Sequence, residues 1–242
     1  MSELQVCHEV AGLVIAYKPY NTHLDGEFPW TIRNAFIARY GLTPRFVNQL
    51  DYPTSGLIVL ARDRRSAGRA GREFSQRHVH KVYLALVQGV PDVSQVSEPI
   101  GTDPDDPHGF RMRISDLDTG KSALTDITTL QSFQNDAFTL VLLRPTTGRR
   151  HQLRLHLASI GCPIIGDLTY GPTISDTPEP QMLLHAWLLH FSRLAELPEV
   201  LEAPLTDFLT GLQNVLGTDF DSSAVCSSLH VLKEKFIREH RV

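Results

Sequence analysis

Asp51 stands in Asn48-Gln49-Leu50-Asp51-Tyr52-Pro53-Thr54-Ser55-Gly56, a turn-forming run that feeds the short apolar stretch 57–61. A carboxylate held on a rigid loop at a strand end can act as nucleophile or base. Loop aspartates more often accept backbone hydrogen bonds in their own turn, and local sequence alone favours that reading of Asp51. A second candidate is the segment Thr147-Gly148-Arg149-Arg150-His151-Gln152-Leu153-Arg154. Its glycine turn opens a helix predicted over 150–160, with Arg150 and Arg154 four residues apart on one face. Basic residues at a helix N-terminus oppose its dipole by ~0.3–1 kcal/mol each when exposed. That cost favours an anion site over a merely solvated face. Tyr83 is the third candidate. In strand alternation it lies opposite Val82, Leu84 and Leu86, where it can stand in a cleft or be a half-exposed structural tyrosine.

The elements that must position these residues are legible in outline. Strands are predicted over 12–17, 57–61, 81–90, 124–130 and 138–143, with a further short one near 110–114. Helices are predicted over 30–40, 66–78, 150–160 and 205–216, and a last amphipathic segment over about 229–237. Gly161 is placed to take a left-handed helix cap, and Gln134-Asn135-Asp136 reads as a turn between strands. Strands outnumber helices and often follow one another directly, so the expected class is α+β with a mixed, largely antiparallel sheet and flanking helices.

Composition narrows the function. The 242 residues carry a net charge of −4, which by itself argues against a nucleic-acid partner. The charge is unevenly spread, however. Arg62, Arg64, Arg65, Arg69, Arg72, Arg77 and Lys81 form one basic run, and Arg144, Arg149, Arg150 and Arg154 form another without an acid between them. Two such runs make an anionic partner plausible. No Walker loop, Gly-x-Gly-x-x-Gly or Gly-x-Ser-x-Gly motif occurs, so neither a nucleotide cofactor nor the commonest hydrolase chemistry is indicated. Cys7, Cys162 and Cys226 are far apart and lack zinc-site spacing, and the histidines lack a metal-ligand context. No apolar stretch is long enough for a transmembrane helix, and no secretory signal opens the chain.

Four segments, in order, resemble the RluA-type RNA pseudouridine synthases: Ile15-Ala16-Tyr17-Lys18-Pro19, the Leu50–Ala61 run, Lys81–Gly89, and Thr147–His156 continuing through Pro163–Asp167 and Tyr170-Gly171. Leu184-His185-Ala186 is a shorter fifth match, and the resemblance spans about residues 8–192. It implies one catalytic domain with helical segments over about 204–240 and no separate N-terminal RNA-binding domain. It also implies an enzyme that breaks a uridine's glycosidic bond, turns the uracil and rejoins it through carbon 5, without metal or cofactor. Asp51 would be the catalytic carboxylate, ionised at neutral pH. Arg154 would be its basic partner, Tyr83 would contact the flipped base, and Leu184 would form part of the apolar floor. Gln49, Arg149, Arg150 and His151 would meet the RNA, and the basic run 62–81 is a further candidate for such contacts.

The family's usual His-Arg before Leu-Asp is replaced here by Asn48 and Gln49; glutamine is planar and can fill a stacking gap but carries no charge. A compact, cytoplasmic monomer acting on structured RNA is expected, with transfer RNA favoured over ribosomal RNA. The alternative is an RNA-binding protein or chaperone that keeps the fold without turnover. A carboxylate-dependent glycosidase would need a second catalytic acid, and none stands out near the motifs.

Overall fold

The structure is a computed structural model that describes residues 3–10, 12–171 and 180–240. Two compact units form, Met1–Lys81 with Ala186–Val242, and Val82–His185.

In the first unit the chain runs through β1 (Val6–Val10), β2 (Leu13–Lys18), α1 (Ile32–Tyr40), β3 (Arg45–Phe46), β4 (Ser55–Ala61) and α2 (Arg64–Ser75). β5 (Val79–Gln88) then carries it into the second unit. β2 pairs antiparallel with β1 and with β4, and its last residue, Lys18, lies opposite Gly56. Both β2 and β4 are buried along their whole length, which is why they read as unbroken apolar runs. Gly56 takes φ 120°, and a Cβ there would lie 2.3 Å from the Ala186 carbonyl oxygen, so only glycine lets the two backbones approach this closely. α2 is capped by Asp63, whose side chain accepts from the Ser66 N–H, and it lays Ala67, Ala70 and Phe74 on the core around β2 and β4.

The second unit contains β6 (Gln95–Val96), β7 (Ile100–Thr102), β8 (Met112–Ile114), β9 (Thr125–Phe133), β10 (Phe138–Pro145) and α3 (Gln152–Ser159). β10 pairs antiparallel with β5 and β9, and β9 with β6. β7 and β8 form a separate ribbon. Leu153 and Leu157 of α3 pack into a core with Ala85, Val87, Val141 and Leu143, the face of β5 that also carries Tyr83. β11 (Leu184–Phe191) returns the chain to the first unit, which β12 (Leu201–Glu202), α4 (Thr206–Leu216) and α5 (Ser222–His240) complete.

The α+β class and the largely antiparallel pairing agree with the sequence expectation. The turn at 134–136 is confirmed by three consecutive positive φ angles, and Gly161 takes φ 75° just beyond α3. Several elements differ, two of them at length. The last helix is much longer than 229–237, with Val225, Leu229 and Phe236 buried. β11 had no sequence prediction, because eight consecutive buried residues containing two histidines show neither period 2 nor period 3.6.

Candidate active site

Asp51 is half-buried at the start of a turn in which the Thr54 N–H donates to the Asp51 carbonyl at 3.1 Å. The turn is held by Lys18, whose side chain is wholly buried. Its ammonium donates to the carbonyls of Pro19 (3.0 Å), Tyr52 (2.8 Å) and Thr54 (2.7 Å). All three ammonium donors are thereby used. Burial pushes the Lys18 amine down to about 7, and the negative charge of Asp51 opposes that shift. The Lys-Pro end of β2 is therefore the clamp beneath the Asp51 turn, a role that spacing alone did not suggest.

The two residues that depart from the family pattern are used differently. The Asn48 amide accepts from the Val59 N–H at 2.7 Å and donates to the Leu57 carbonyl at 3.4 Å, so it stands in for a strand partner along β4. Gln49 is exposed.

In the second unit, Tyr83 is half-buried, lies opposite Leu143 in the β5–β10 ladder and borders the core that contains Leu153 and the buried Leu184. Arg154 is buried on α3 and forms a bidentate pair with Asp167, Nε to Oδ2 and Nη2 to Oδ1 both at 2.8 Å. Nη2 also donates to the Thr169 hydroxyl at 2.7 Å, and the guanidinium lies 5.2 Å from the Tyr170 ring centre. Burial would raise the Asp167 carboxyl, but Arg154 and the amides of Thr169 and Tyr170 outweigh it and hold the group below its ordinary value. His185, wholly buried, is pushed down to about 3 by desolvation and is a neutral imidazole.

The turn before α3 corrects the sequence picture. Its helix starts at Gln152, not Arg150, because His151 takes φ 56° in the left-handed region. The Gln152 side chain accepts from the Thr147 hydroxyl and the Arg149 N–H, and it donates to the Leu124 carbonyl. Arg150 therefore does not share a helical face with Arg154. It is exposed, with its guanidinium 5.0 Å from the Phe110 ring centre and one N–H on the Gly109 carbonyl. Arg149 is half-buried and donates to the Ser122 carbonyl. His151 is turned inward, its Nδ1 2.8 Å from the Tyr170 hydroxyl.

Of the basic run after β4, Arg62 pairs with Glu9 and Arg69 with Glu196, whereas Arg64, Arg65, Arg72 and Arg77 are exposed. Burial, then the charge of Arg77, pushes Lys81 down to about 8. Among the described residues, no group of three or more histidine, cysteine or acidic side chains is placed to hold a metal ion.

Comparison with known proteins decides the family. A family described as RNA pseudouridylate synthase matches residues 12–159. The chain belongs to the RNA pseudouridylate synthase family. It is 39% identical over 164 residues to the human RNA pseudouridylate synthase domain-containing protein 1, covering 64% of this chain and 53% of the relative. It is also 39% identical to an uncharacterized RNA pseudouridine synthase of Zymomonas mobilis, over 70% of this chain and 76% of that one. The solved structure of human RNA Pseudouridylate Synthase Domain Containing 1 superposes with a TM-score of 0.72 at 31% identity, over 90% of this chain and 97% of that one. The chain spans about half the length of the first curated relatives it matches. The RluA-type resemblance anticipated this membership from five short segments.

Proposed function

We propose that the chain is an RNA pseudouridine synthase in which Asp51 is the catalytic carboxylate. The observation that carries this reading is the turn itself. A buried lysine fixes the backbone on both sides of Pro53 and leaves Asp51 half-buried just ahead of β4. A carboxylate so placed needs little reorganisation when a reacting group arrives. In the isomerisation the bond from ribose C1′ to uracil N1 breaks and a bond from C1′ to C5 forms. The C5 proton leaves and N1 gains one, so no oxidant, metal or cofactor is consumed. Tyr83 would support the uracil, Leu184 would supply apolar surface, and Arg154, held rigid by Asp167, would supply positive charge.

The RNA must release the target base from its stack at a cost of a few kcal/mol, which contacts to flanking nucleotides offset. Arg149 and Arg150 each spend one N–H on a backbone carbonyl and keep further guanidinium donors for phosphate. Gln49 is exposed beside the turn, and His151 contributes by holding the α3 turn in place. Structured RNA is the substrate class, transfer RNA favoured over ribosomal RNA, and the protein works as a cytoplasmic monomer.

The test is tritium release from transfer and ribosomal RNA labelled at uracil carbon 5. Wild type should release tritium, and Asp51→Asn should lower the rate by at least about a thousandfold while binding RNA as before. Binding without release from any pool would instead identify an RNA-binding protein that keeps the fold without turnover. Equal release by the variant would remove Asp51 from the reaction.

A further inference from the structure

A ring stack rises from the residue next to Asp51. The Tyr52 ring lies 4.4 Å from the His23 ring, tilted by 38°. The His23 ring in turn lies 3.5 Å from that of Phe28 with only 4° between the planes. Phe28 remains 43% exposed although His23 covers one face of its ring. A single exposed phenylalanine needs no explanation. A parallel aromatic pair whose outer ring stays largely accessible, built on a tightly fixed loop, does.

The loop is held at both ends. The Thr22 N–H donates to the Tyr52 carbonyl at 3.2 Å, which ties it to the Asp51 turn. The Ile32 and Arg33 amides donate to the carbonyls of His23 and Leu24, which ties it to the first turn of α1. Asp25 accepts from the Gly26 N–H at 2.7 Å and from Arg33 at 2.9 Å. Gly26 takes φ 105°, and a Cβ there would sit 2.9 Å from the Phe28 ring, so this glycine is what lets Phe28 fold back onto His23.

We propose that the Tyr52–His23–Phe28 stack is a base-stacking platform, and that the exposed part of the Phe28 ring takes an unpaired nucleobase flanking the target uridine. The inference rests on the RNA-modifying reading of Asp51 and deepens it. Every base has a π face, so such a platform grips an opened loop without reading its sequence. Its rigidity in the free protein means that little order is lost when the base arrives. It also supplies, from a different loop, a stacking surface beside a turn in which Gln49 offers no charge.

The probe is a single-stranded oligouridylate carrying one 2-aminopurine, followed by fluorescence. Wild type should quench it. Phe28→Ala should lose the quenching and bind about ten- to a hundredfold more weakly, with the salt dependence of binding unchanged because no phosphate contact is removed. Phe28→Tyr should bind as wild type, whereas Phe28→Leu, which keeps apolar bulk and serves as the folding control, should resemble alanine. In tritium release, Phe28→Ala should raise KM more than it lowers kcat. Unquenched wild type, or equal binding by the alanine and leucine variants and wild type, overturns the platform. Full rescue by leucine also overturns it, by showing a merely apolar contact. Quenching by a wild type that releases no tritium leaves the platform standing and removes the enzyme reading. Normal release by Phe28→Ala with unchanged KM does the reverse.

Discussion

The Asp51 turn and the Arg149–Arg154 turn look alike in sequence, since each is a short polar run with glycine that joins a regular element. Their folded chemistry is opposite. In the first, a buried lysine from another strand grips the backbone carbonyls of the turn. In the second, the motif's own side chains do the holding: Gln152 on Thr147 and Arg149, His151 on Tyr170, Arg154 on Asp167 and Thr169. A short motif can thus be held from outside in one place and hold itself in another. Substitutions should separate the two, with activity lost at Asp51 and stability lost around Arg154.

The largest stability effect should come from the Arg154–Asp167 pair. Asp167→Ala leaves a buried guanidinium without its carboxylate, at an expected cost of about 3–5 kcal/mol in urea unfolding. Arg154→Met with Asp167→Leu removes both charges and should recover much of that loss, since a buried ion pair roughly balances its own desolvation. The double variant should fold and still fail in tritium release if Arg154 also serves the reaction. Recovery of both stability and turnover would reduce Arg154 to scaffolding.

Lys18 gives a smaller effect with a pH signature. Lys18→Met takes the donor from three carbonyls, and should cost about 2 kcal/mol after the relief of burying no ammonium. The ordinary lysine value is 10.5, and burial moves Lys18 to about 7 in the folded chain. Between those values the unfolded chain holds a proton that the folded chain has released, so this group's contribution to stability grows as pH rises and is lost as pH falls through about 7. The wild-type advantage over Lys18→Met should therefore be larger at about pH 9.5 than at about pH 6.5. Lys81, pushed down to about 8, is present in both proteins and cancels in that difference. An advantage that is flat with pH would mean that Lys18 stays charged throughout.

The amount legible in the sequence follows from the same contrast. β2 and β4 were visible because a buried strand needs an apolar run, β5 because its residues alternate, and α2 because its small apolar face sits on a basic helix. The elements around Asp51, Tyr83 and Arg154 were found by the order of short motifs. The helix start at Gln152 was missed because a non-glycine residue takes the left-handed conformation there, which composition does not announce. The clamp by Lys18, the partner Asp167 and the stack of His23 on Phe28 depend on pairs 34, 13 and 5 residues apart that no periodicity links.

The smallest effects should divide two neighbours within the second turn. His151 faces inward on Tyr170, whereas Arg150 faces outward over Phe110. His151→Ala removes the part-buried hydrogen bond to Tyr170, so it should cost about 1 kcal/mol of stability. Its dependence of RNA binding on salt should match wild type, because no phosphate contact is lost. Arg150→Ala should leave unfolding unchanged within about 0.5 kcal/mol. It should weaken RNA binding a few-fold and flatten the plot of log affinity against log salt by about one unit, the signature of one phosphate contact. A salt slope altered by His151→Ala, and not by Arg150→Ala, would mean that the inward and outward residues exchange roles when RNA binds. In that case this turn would rearrange on binding, in contrast to a turn at Asp51 that Lys18 holds fixed.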